Sequence, residues 1–350
     1  MININELTLE ELGEYIESIG EKKFHAKQIF KWIHRVHVDS FDDMTDISKT
    51  LREKLKENAY ILNLEVLQVQ VSKKDDTHKF LIKLSDDNAI ESVFMRYNHG
   101  NTLCVSTQVG CKMGCKFCAS TKNGWTRHLL ASEIEGQIIA VEKYMNEKIS
   151  NVVYMGIGEP LDNYDNMVKS VKLINCPEGL GIGARHISIS TSGLVDNIKR
   201  LADEKLQATL SISLHAVTDE KRKEIMPVAN KYSIKELLDA CKYYIMVTGR
   251  RISFEFALIA GVNDDEQTAK DLAKLLRGMI AHVNLIPVNE IVNGKFKKSK
   301  PEDVDRFMNI LNSSGIVATV RRELGSDIDA ACGQLRQKHL ENKLEKENEN

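Results

Sequence analysis

Three cysteines fall within eight residues, Cys111-x3-Cys115-x2-Cys118, in the stretch VSTQVGCKMGCKFCAS. Thiolate is the ligand form of cysteine, a soft donor suited to iron–sulfur clusters and to zinc. Three thiolates in one short loop can hold a small metal centre and leave its fourth position open. In a 4Fe–4S cluster this frees one iron to bind a small molecule. Zinc is the rival reading, since structural zinc takes four closed ligands and Cys104 or His128 could supply the fourth. Gly110, Lys112, Gly114 and Lys116 make the loop a poor piece of core. A disulfide framework fits poorly with seven cysteines and no secretory signal.

The chain around this loop is 350 residues long, enough for an enzyme-sized core and a smaller appendage. Its first residues contain no apolar signal region and no run approaches a membrane span, so the expected location is the reducing cytoplasm, which an oxygen-sensitive cluster requires. A formal net charge of −2 excludes a wholesale nucleic-acid binder; any RNA contact must come from local patches. Lys23, Lys27, Lys31 and Arg35, spaced every four residues, form one such stripe, with a solvated helix face as the plain alternative. The loop GKFKKSK (Gly294 to Lys300) is a second candidate.

Four segments must position the cysteine loop. Residues 1–60 read as a helical accessory domain, expected to bind RNA, in which Thr8-x-x-Glu11 forms a capping box and Ile29, Trp32, Ile33 and Val36 share a helix face. Residues 61–100 alternate apolar and polar in LEVLQVQVS, HKFLIKLS and AIESVFMRY, an antiparallel extension of three strands. From 101 to 335 strands alternate with helices: TLCVST, NVVYMG, HISIST, QATLSISLH, RISFEFALI and HVNLIPV. Helix starts are expected at Ser132-x-x-Glu135, Ser233-x-x-Glu236 and Ser299-x-x-Glu302. Six βα units imply an α/β fold with a parallel sheet, either an incomplete (β/α)6 barrel or a doubly wound open sheet. Residues 336–350 read as a flexible tail. Gly158-Glu159-Pro160, Ser190 to Gly193, Ser213 to His215 and Asn289 all fall at carboxyl ends of strands, where barrel enzymes do their chemistry.

The C-x3-C-x2-C spacing, with Phe117 before the last cysteine, resembles that of the radical S-adenosylmethionine (SAM) enzymes, whose usual fold is the incomplete (β/α)6 barrel. The stretches AIESVFMRYNHGNTLCVSTQVGC, VYMGIGEPLDN and SDIDAACGQL narrow the resemblance to the RlmN/Cfr family of RNA methyltransferases, over essentially the whole chain to Leu335. GEP, STSG and LIPVN match the RlmN branch, where Cfr has GEA, STIG and LIRYN. Ser326 and Glu290 depart from the common Asp and Pro at those places.

The resemblance implies that Cys111, Cys115 and Cys118 hold a 4Fe–4S cluster completed by SAM, and that Gly158, Glu159, Ser190, Ser213, Leu214, His215 and Asn289 contact SAM. It further implies that Cys332 carries the methyl group, that Cys104 is its partner thiol in a transient disulfide, and that Glu91 accepts a proton. Two SAM molecules are consumed per turnover, and the product is adenine methylated at C2 in 23S ribosomal RNA and transfer RNA. A monomer served by an electron donor such as flavodoxin or ferredoxin completes the expectation. Cys176 and Cys241 match no motif and are expected to be structural. A non-methylating radical SAM protein would need neither Cys104 nor Cys332, and a metal-stapled RNA-binding module would need no SAM pocket.

Overall fold

The computed structural model describes residues 1–121, 124–288 and 297–328. Helices α1 (Leu9–Ser18), α2 (Phe24–Lys31) and α3 (Lys49–Asn58) form the amino-terminal unit, closed by a parallel pair of short strands, β1 (Ile2–Asn3) and β2 (Ala59–Tyr60). The Thr8 capping box is formed: Glu11 N–H donates to Thr8 Oγ1, and Thr8 N–H to the Glu11 carboxylate. Leu12, Ile16, Ile29, Phe30, Ile33, Leu51 and Leu55 bury a separate core, which Ala131 and Leu173 of the larger domain join. A π turn over Trp32–Val36 follows α2 and shifts the helical register. Val36 is therefore turned outward, 49% exposed, and His34 is buried in its place, correcting the expectation of an inward Val36. His34 Nδ1 lies 2.8 Å from the buried Glu135 carboxylate, tying this unit to the barrel.

The extension is the expected meander, β3 (Glu65–Val71), β4 (His78–Lys83) and β5 (Ala89–Tyr97), and it continues antiparallel into β6 (Gly100–Cys104). A hairpin of β7 (Gln108–Gly110) and β8 (Trp125–His128) flanks the cysteine loop. Then follow α4 (Ala131–Met145), β9 (Asn151–Tyr154), α5 (Tyr164–Asn175), β10 (Ile187–Thr191), α6 (Val195–Asp203) and β11 (Thr209–Ser213). The chain continues through α7 (Asp219–Ile225), α8 (Ile234–Thr248), β12 (Ile252–Leu258), α9 (Glu266–Leu276), β13 (Ala281–Pro287), α10 (Pro301–Ser313) and β14 (Val317–Val320). One ten-stranded sheet runs β14-β13-β12-β11-β10-β9-β6-β5-β4-β3, parallel from β14 to β6 and antiparallel beyond. Because each strand neighbours the next in sequence, the sheet winds one way into an open barrel; a doubly wound sheet would reverse its order midway.

Strand β14 was not among the expected strands. Its run VATV is β-branched but too short to stand out after Gly315. Two helix starts also differ. Helix α4 begins earlier than Ser132, with Glu133 accepting from Leu130 N–H, while Ser132 Oγ accepts from Asn3. Helix α10 starts at Pro301, whose fixed φ suits the first helical position, and Ser299 Oγ donates instead to Asp264. The Ser233–Glu236 box is formed.

Parallel strands covered on both faces are usually apolar throughout; here they alternate. Ile187, Ile189, Leu210, Ile212, Phe254 and Phe256 face the helices and build the main core. The alternate residues, Ser190, Ser213 and Glu255, line a cavity on the other face. The period-two pattern of HISIST, TLSIS and ISFEF is thus that of a barrel with a polar lumen.

Candidate active site

The cavity holds about 550 Å³ and is reached by the carboxyl ends of the parallel strands. Cys111, Cys115 and Cys118 face it from the loop after β7. The loop is pinned at both ends. Cys111 N–H donates to Gly124 O (3.0 Å) and Lys116 N–H to Ile225 O (3.0 Å). Gly110 makes the first closure possible: φ is +80°, and a Cβ there would lie 2.0 Å from Gly124 O. Cys115 and Phe117 pack on Ile225, Met226 and Ala216. Burial pushes the Cys111 thiol up to about 12 and the Cys115 thiol up further, with neighbouring thiols adding to the shift.

Among the described residues no three His, Cys, Asp or Glu side chains converge as the ligands of one ion would. A cluster makes another demand, because each thiolate binds a separate iron. Three thiols facing one cavity from one loop meet that demand, and their number leaves one iron open. The donor set therefore fits a 4Fe–4S cluster.

The strand ends supply the rest of the wall. Gly158, Glu159, Ser190, Ser213 and His215 all line the cavity. Gly158 has φ +110°, and a Cβ would press on Gln108 and Thr107 at 2.7–2.8 Å. The Glu159 carboxylate accepts from the backbone N–H of Ser192 (2.7 Å) and of Leu161 (3.0 Å). Burial raises its pKa, and these amides oppose the rise. His215 sits at φ +59°, edge-on to Phe117. Its Nδ1 accepts from Ala257 N–H (2.9 Å), which leaves the proton of the neutral ring on Nε2. Burial, and then Arg222, lower its pKa to about 3. Leu214 differs from its neighbours: its side chain is fully buried in the main core, so only its backbone can take part in the site.

Cys104 also lines the cavity, at the end of β6, in a patch with Val93, Met95, Val153, Met155 and Leu324. Glu91 lies on the same face of β5, two residues from Val93, which pairs with Cys104. It is 3% exposed rather than solvated, and its Oε2 is 3.0 Å from Lys79 Nζ. It does not line the cavity. Asn289 and Cys332 lie outside the described residues. Cys241 is fully buried in the main core, while Cys176 is half-buried beside the amino-terminal core, and neither lines the cavity.

Other contributors left no local signal in the sequence. Arg222, on α7, is fully buried and donates to the carbonyls of Ser192 (2.6 Å), Ser213 (3.2 Å) and Leu214 (3.2 Å), joining the ends of β10 and β11. Glu255 presents a buried carboxyl to the cavity, accepting from Asn284 (2.8 Å) and Ser253 (3.2 Å); burial raises its pKa. Gln108 receives the N–H of Glu159 (2.8 Å) and donates to Asp162 (2.8 Å), which also pairs with Lys112 (2.9 Å). Each is an ordinary polar residue until the fold brings its partner near. The basic stripe is partly neutralised: Lys23 lies 3.7 Å from Glu17 and Lys27 lies 2.9 Å from Glu178.

Comparison with known proteins identifies both parts of the chain. Residues 2–61 match the model of the ribosomal RNA large subunit methyltransferase N-terminal domain, and residues 105–273 match the radical SAM superfamily. A Clostridium perfringens (strain 13 / Type A) protein named "Probable dual-specificity RNA methyltransferase RlmN" is 57% identical over 98% of this chain and 99% of its own length. A protein of the same name from Clostridium novyi (strain NT) is 54% identical over 98% and 100%. Among solved structures, a radical SAM methyltransferase from Sphaerobacter thermophilus superposes with a TM-score of 0.90 at 42% identity, over 95% of this chain and 99% of that one.

Proposed function

The chain belongs to the RlmN family of radical SAM RNA methyltransferases, and on that premise we propose that it methylates C2 of an adenine in the peptidyl transferase centre of 23S ribosomal RNA and in the transfer RNA anticodon loop. The observation that carries this reading is one cavity walled by the three loop thiols, the strand ends and Cys104. No helix among the described residues is long and apolar enough to cross a membrane, and the proposed place of work is the cytoplasm.

Adenine C2 lies between two ring nitrogens. It is electron-poor and is no nucleophile, so direct displacement of a methyl group from SAM onto this carbon is unfavourable. A carbon radical adds to such a carbon readily. When bound to Cys111, Cys115 and Cys118, a reduced 4Fe–4S cluster with SAM on its open iron supplies that radical chemistry by one-electron cleavage of SAM. The side chains of Glu159, Ser190, Ser213 and His215, the backbone of Gly158 and Leu214, and Asn289 are proposed to hold SAM. Glu159 presents a carboxylate to the SAM ammonium, and neutral His215 donates from Nε2.

Cys332 thiolate takes a methyl group from a first SAM by displacement. A second SAM is spent removing one hydrogen atom from that methyl, and the Cys332 thiomethylene carbon then bonds to C2. The adduct loses one electron, for which a bound cluster would be the acceptor, and Glu91 accepts the C2 proton. Cys104 thiolate attacks the Cys332 sulfur and breaks its bond to the methylene carbon, which takes a proton to become the methyl group of the released base; the Cys104–Cys332 disulfide left behind is reopened by an external reductant. The target base must leave its stack to enter the cavity. RNA affinity is assigned to the helical domain and local basic groups, with flavodoxin or ferredoxin as electron donor to a monomer.

Nucleoside mass spectrometry of RNA treated with the reconstituted enzyme tests the reading. The expected product is 2-methyladenosine; 8-methyladenosine alone, or no methylated adenosine, overturns it.

A further inference from the structure

The chain leaving β14 is held on both sides of a short basic stretch. Arg321 N–H donates to Leu285 O (2.8 Å), extending the ladder with β13. Leu324 packs into the apolar patch that contains Cys104. Gly325 N–H donates to Asp75 Oδ2 (2.7 Å), and Asp327 Oδ1 accepts from Ser72 Oγ (2.5 Å), both on the turn between β3 and β4. Between these fastenings Arg321 and Arg322 line the cavity and are nonetheless exposed, so they stand at its opening.

The carboxylates around this pair are engaged elsewhere. Glu323 pairs with Lys298 (2.6 Å). Asp75 also accepts from Thr77 N–H (3.1 Å), and Asp327 from Lys73 N–H (2.8 Å). Glu255, deeper in the cavity, accepts from Asn284 and Ser253. Among the described residues neither Arg321 nor Arg322 forms an ion pair. On a chain of net charge −2 they make a local positive site at one opening.

Flat rings stand beside these cations. Half-buried Tyr97 lines the same cavity from the end of β5, and its ring stacks with that of exposed His99, centroids 5.0 Å apart and planes 18° from parallel. Burial raises the Tyr97 pKa, and the charges of Arg321 and Arg322 oppose the rise, which sets all three at one rim. Guanidinium groups match phosphate oxygens in fork geometry, and cations interleaved with aromatic rings suit a single-stranded nucleic acid. A base turned into the cavity leaves its sugar and phosphates outside, where exposed groups at the opening meet them first.

We propose that Arg321 and Arg322 form a phosphate-binding rim that grips the phosphodiesters flanking the nucleotide whose base enters the cavity. This rests on the reading that an RNA adenosine leaves its stack to be methylated there. Such contacts fix the register of the strand without reading its sequence.

The test measures binding of the full-length, cluster-loaded protein to an RNA hairpin with the target adenosine in its loop, over a series of salt concentrations. At about 0.7 per phosphate contact on a single strand, Arg321→Gln/Arg322→Gln should reduce the salt dependence by roughly 1.4 log units per log of salt, a loss of roughly 15-fold in affinity at about 0.15 M salt. Arg321→Lys/Arg322→Lys should restore most of the slope, because counterion release follows charge. Methylphosphonates in place of the two flanking phosphates should weaken the wild type by a similar factor and the Gln variant no further. Iron content, SAM affinity and RNA-independent cleavage of SAM should stay at wild-type values. An unchanged salt slope overturns the inference. So do methylphosphonate and Gln losses that multiply, since the two cations would then touch other parts of the RNA. Wild-type RNA binding with slowed reduction by flavodoxin would make the pair a docking site for the electron donor and also overturns it. The expected binding losses in a protein that yields no methylated adenosine would support the phosphate contact and overturn the proposed reaction.

Discussion

The buried ion pair between Lys79 and Glu91 gives a magnitude that can be checked directly. Lys79 stands opposite Val93, and Glu91 opposite Leu81, in the β4–β5 ladder. Nζ and Oε2 are 3.0 Å apart, with the two side chains 0% and 3% exposed. Lys79→Met removes the cation 3.0 Å from the Glu91 carboxylate in a site that water does not reach. Loss of one partner from such a pair costs about 3–5 kcal/mol, a large share of the roughly 5–15 kcal/mol that holds a domain together. Lys79→Met/Glu91→Leu removes both charges of the pair and should recover at least about 2 kcal/mol of that loss. Urea unfolding at constant m-value reads both numbers. Lys79→Met costing under about 1 kcal/mol, with no recovery in the double variant, would refute the reasoning. Neither side chain lines the cavity, so the double variant should bind SAM normally while losing turnover if Glu91 is the proton acceptor proposed above.

Three further expectations follow from the site and its surroundings. The His215 pKa is depressed from 6.5 to about 3 in the folded state; the unfolded chain therefore takes up the proton first, and stability complete above pH 6.5 falls with acid by about 1.4 kcal/mol per pH unit down to about 3. His215→Gln should flatten that dependence in acid-unfolding curves, and an unchanged slope would exclude His215 as its source. Arg222→Lys keeps a charge but loses the planar guanidinium whose Nη2 donates to Ser192 O and Ser213 O while Nε donates to Leu214 O; SAM affinity measured by calorimetry should weaken on the order of 10-fold, and wild-type affinity would show that the strand ends hold their place without it. Lys23 and Lys27 already have acidic partners, leaving Lys31 and Arg35 with no ion pair among the described residues. Replacing all four with Gln should therefore reduce the salt dependence of RNA binding by only about 1.4–1.8 log units per log of salt, at about 0.7–0.9 per phosphate contact; an unchanged slope would make the stripe a solvated face.

The parts of this molecule legible in its sequence are those whose signal is local. The cysteine spacing, the Thr8 capping box and the strand AIESVFMRY each sit within a few residues, and each has its structural counterpart. Val36 was misjudged because a π turn changes the register that a 3.6-residue period assumes. Ser132 and Ser299 resemble caps, but their hydroxyls bond across the fold to Asn3 and Asp264. The burial of Glu91 is not legible either, since nothing local says that both faces of β5 are covered. Arg222, Gln108 and Glu255 were illegible for a related reason: each acquires its meaning from carbonyls, amides or carboxamides brought close by the barrel. The anchorage of Asp327 on the β3–β4 turn joins positions 255 residues apart and leaves no periodic trace.

The most direct test of the proposed chemistry is the fate of RNA on Cys104→Ala. Cys104 is buried at the cavity wall and is not one of the three loop thiols, so the variant should keep its cluster, its SAM site and its methyl-accepting Cys332. Methyl transfer to Cys332 and bond formation to C2 should proceed, and release should fail. The expected result is a covalent RNA–protein complex that survives denaturation, maps to Cys332 by peptide mass spectrometry and is absent from Cys332→Ala. Turnover of Cys104→Ala at the wild-type rate, with no such complex, would contradict the assignment of Cys104 and with it the release step on which the proposed function depends.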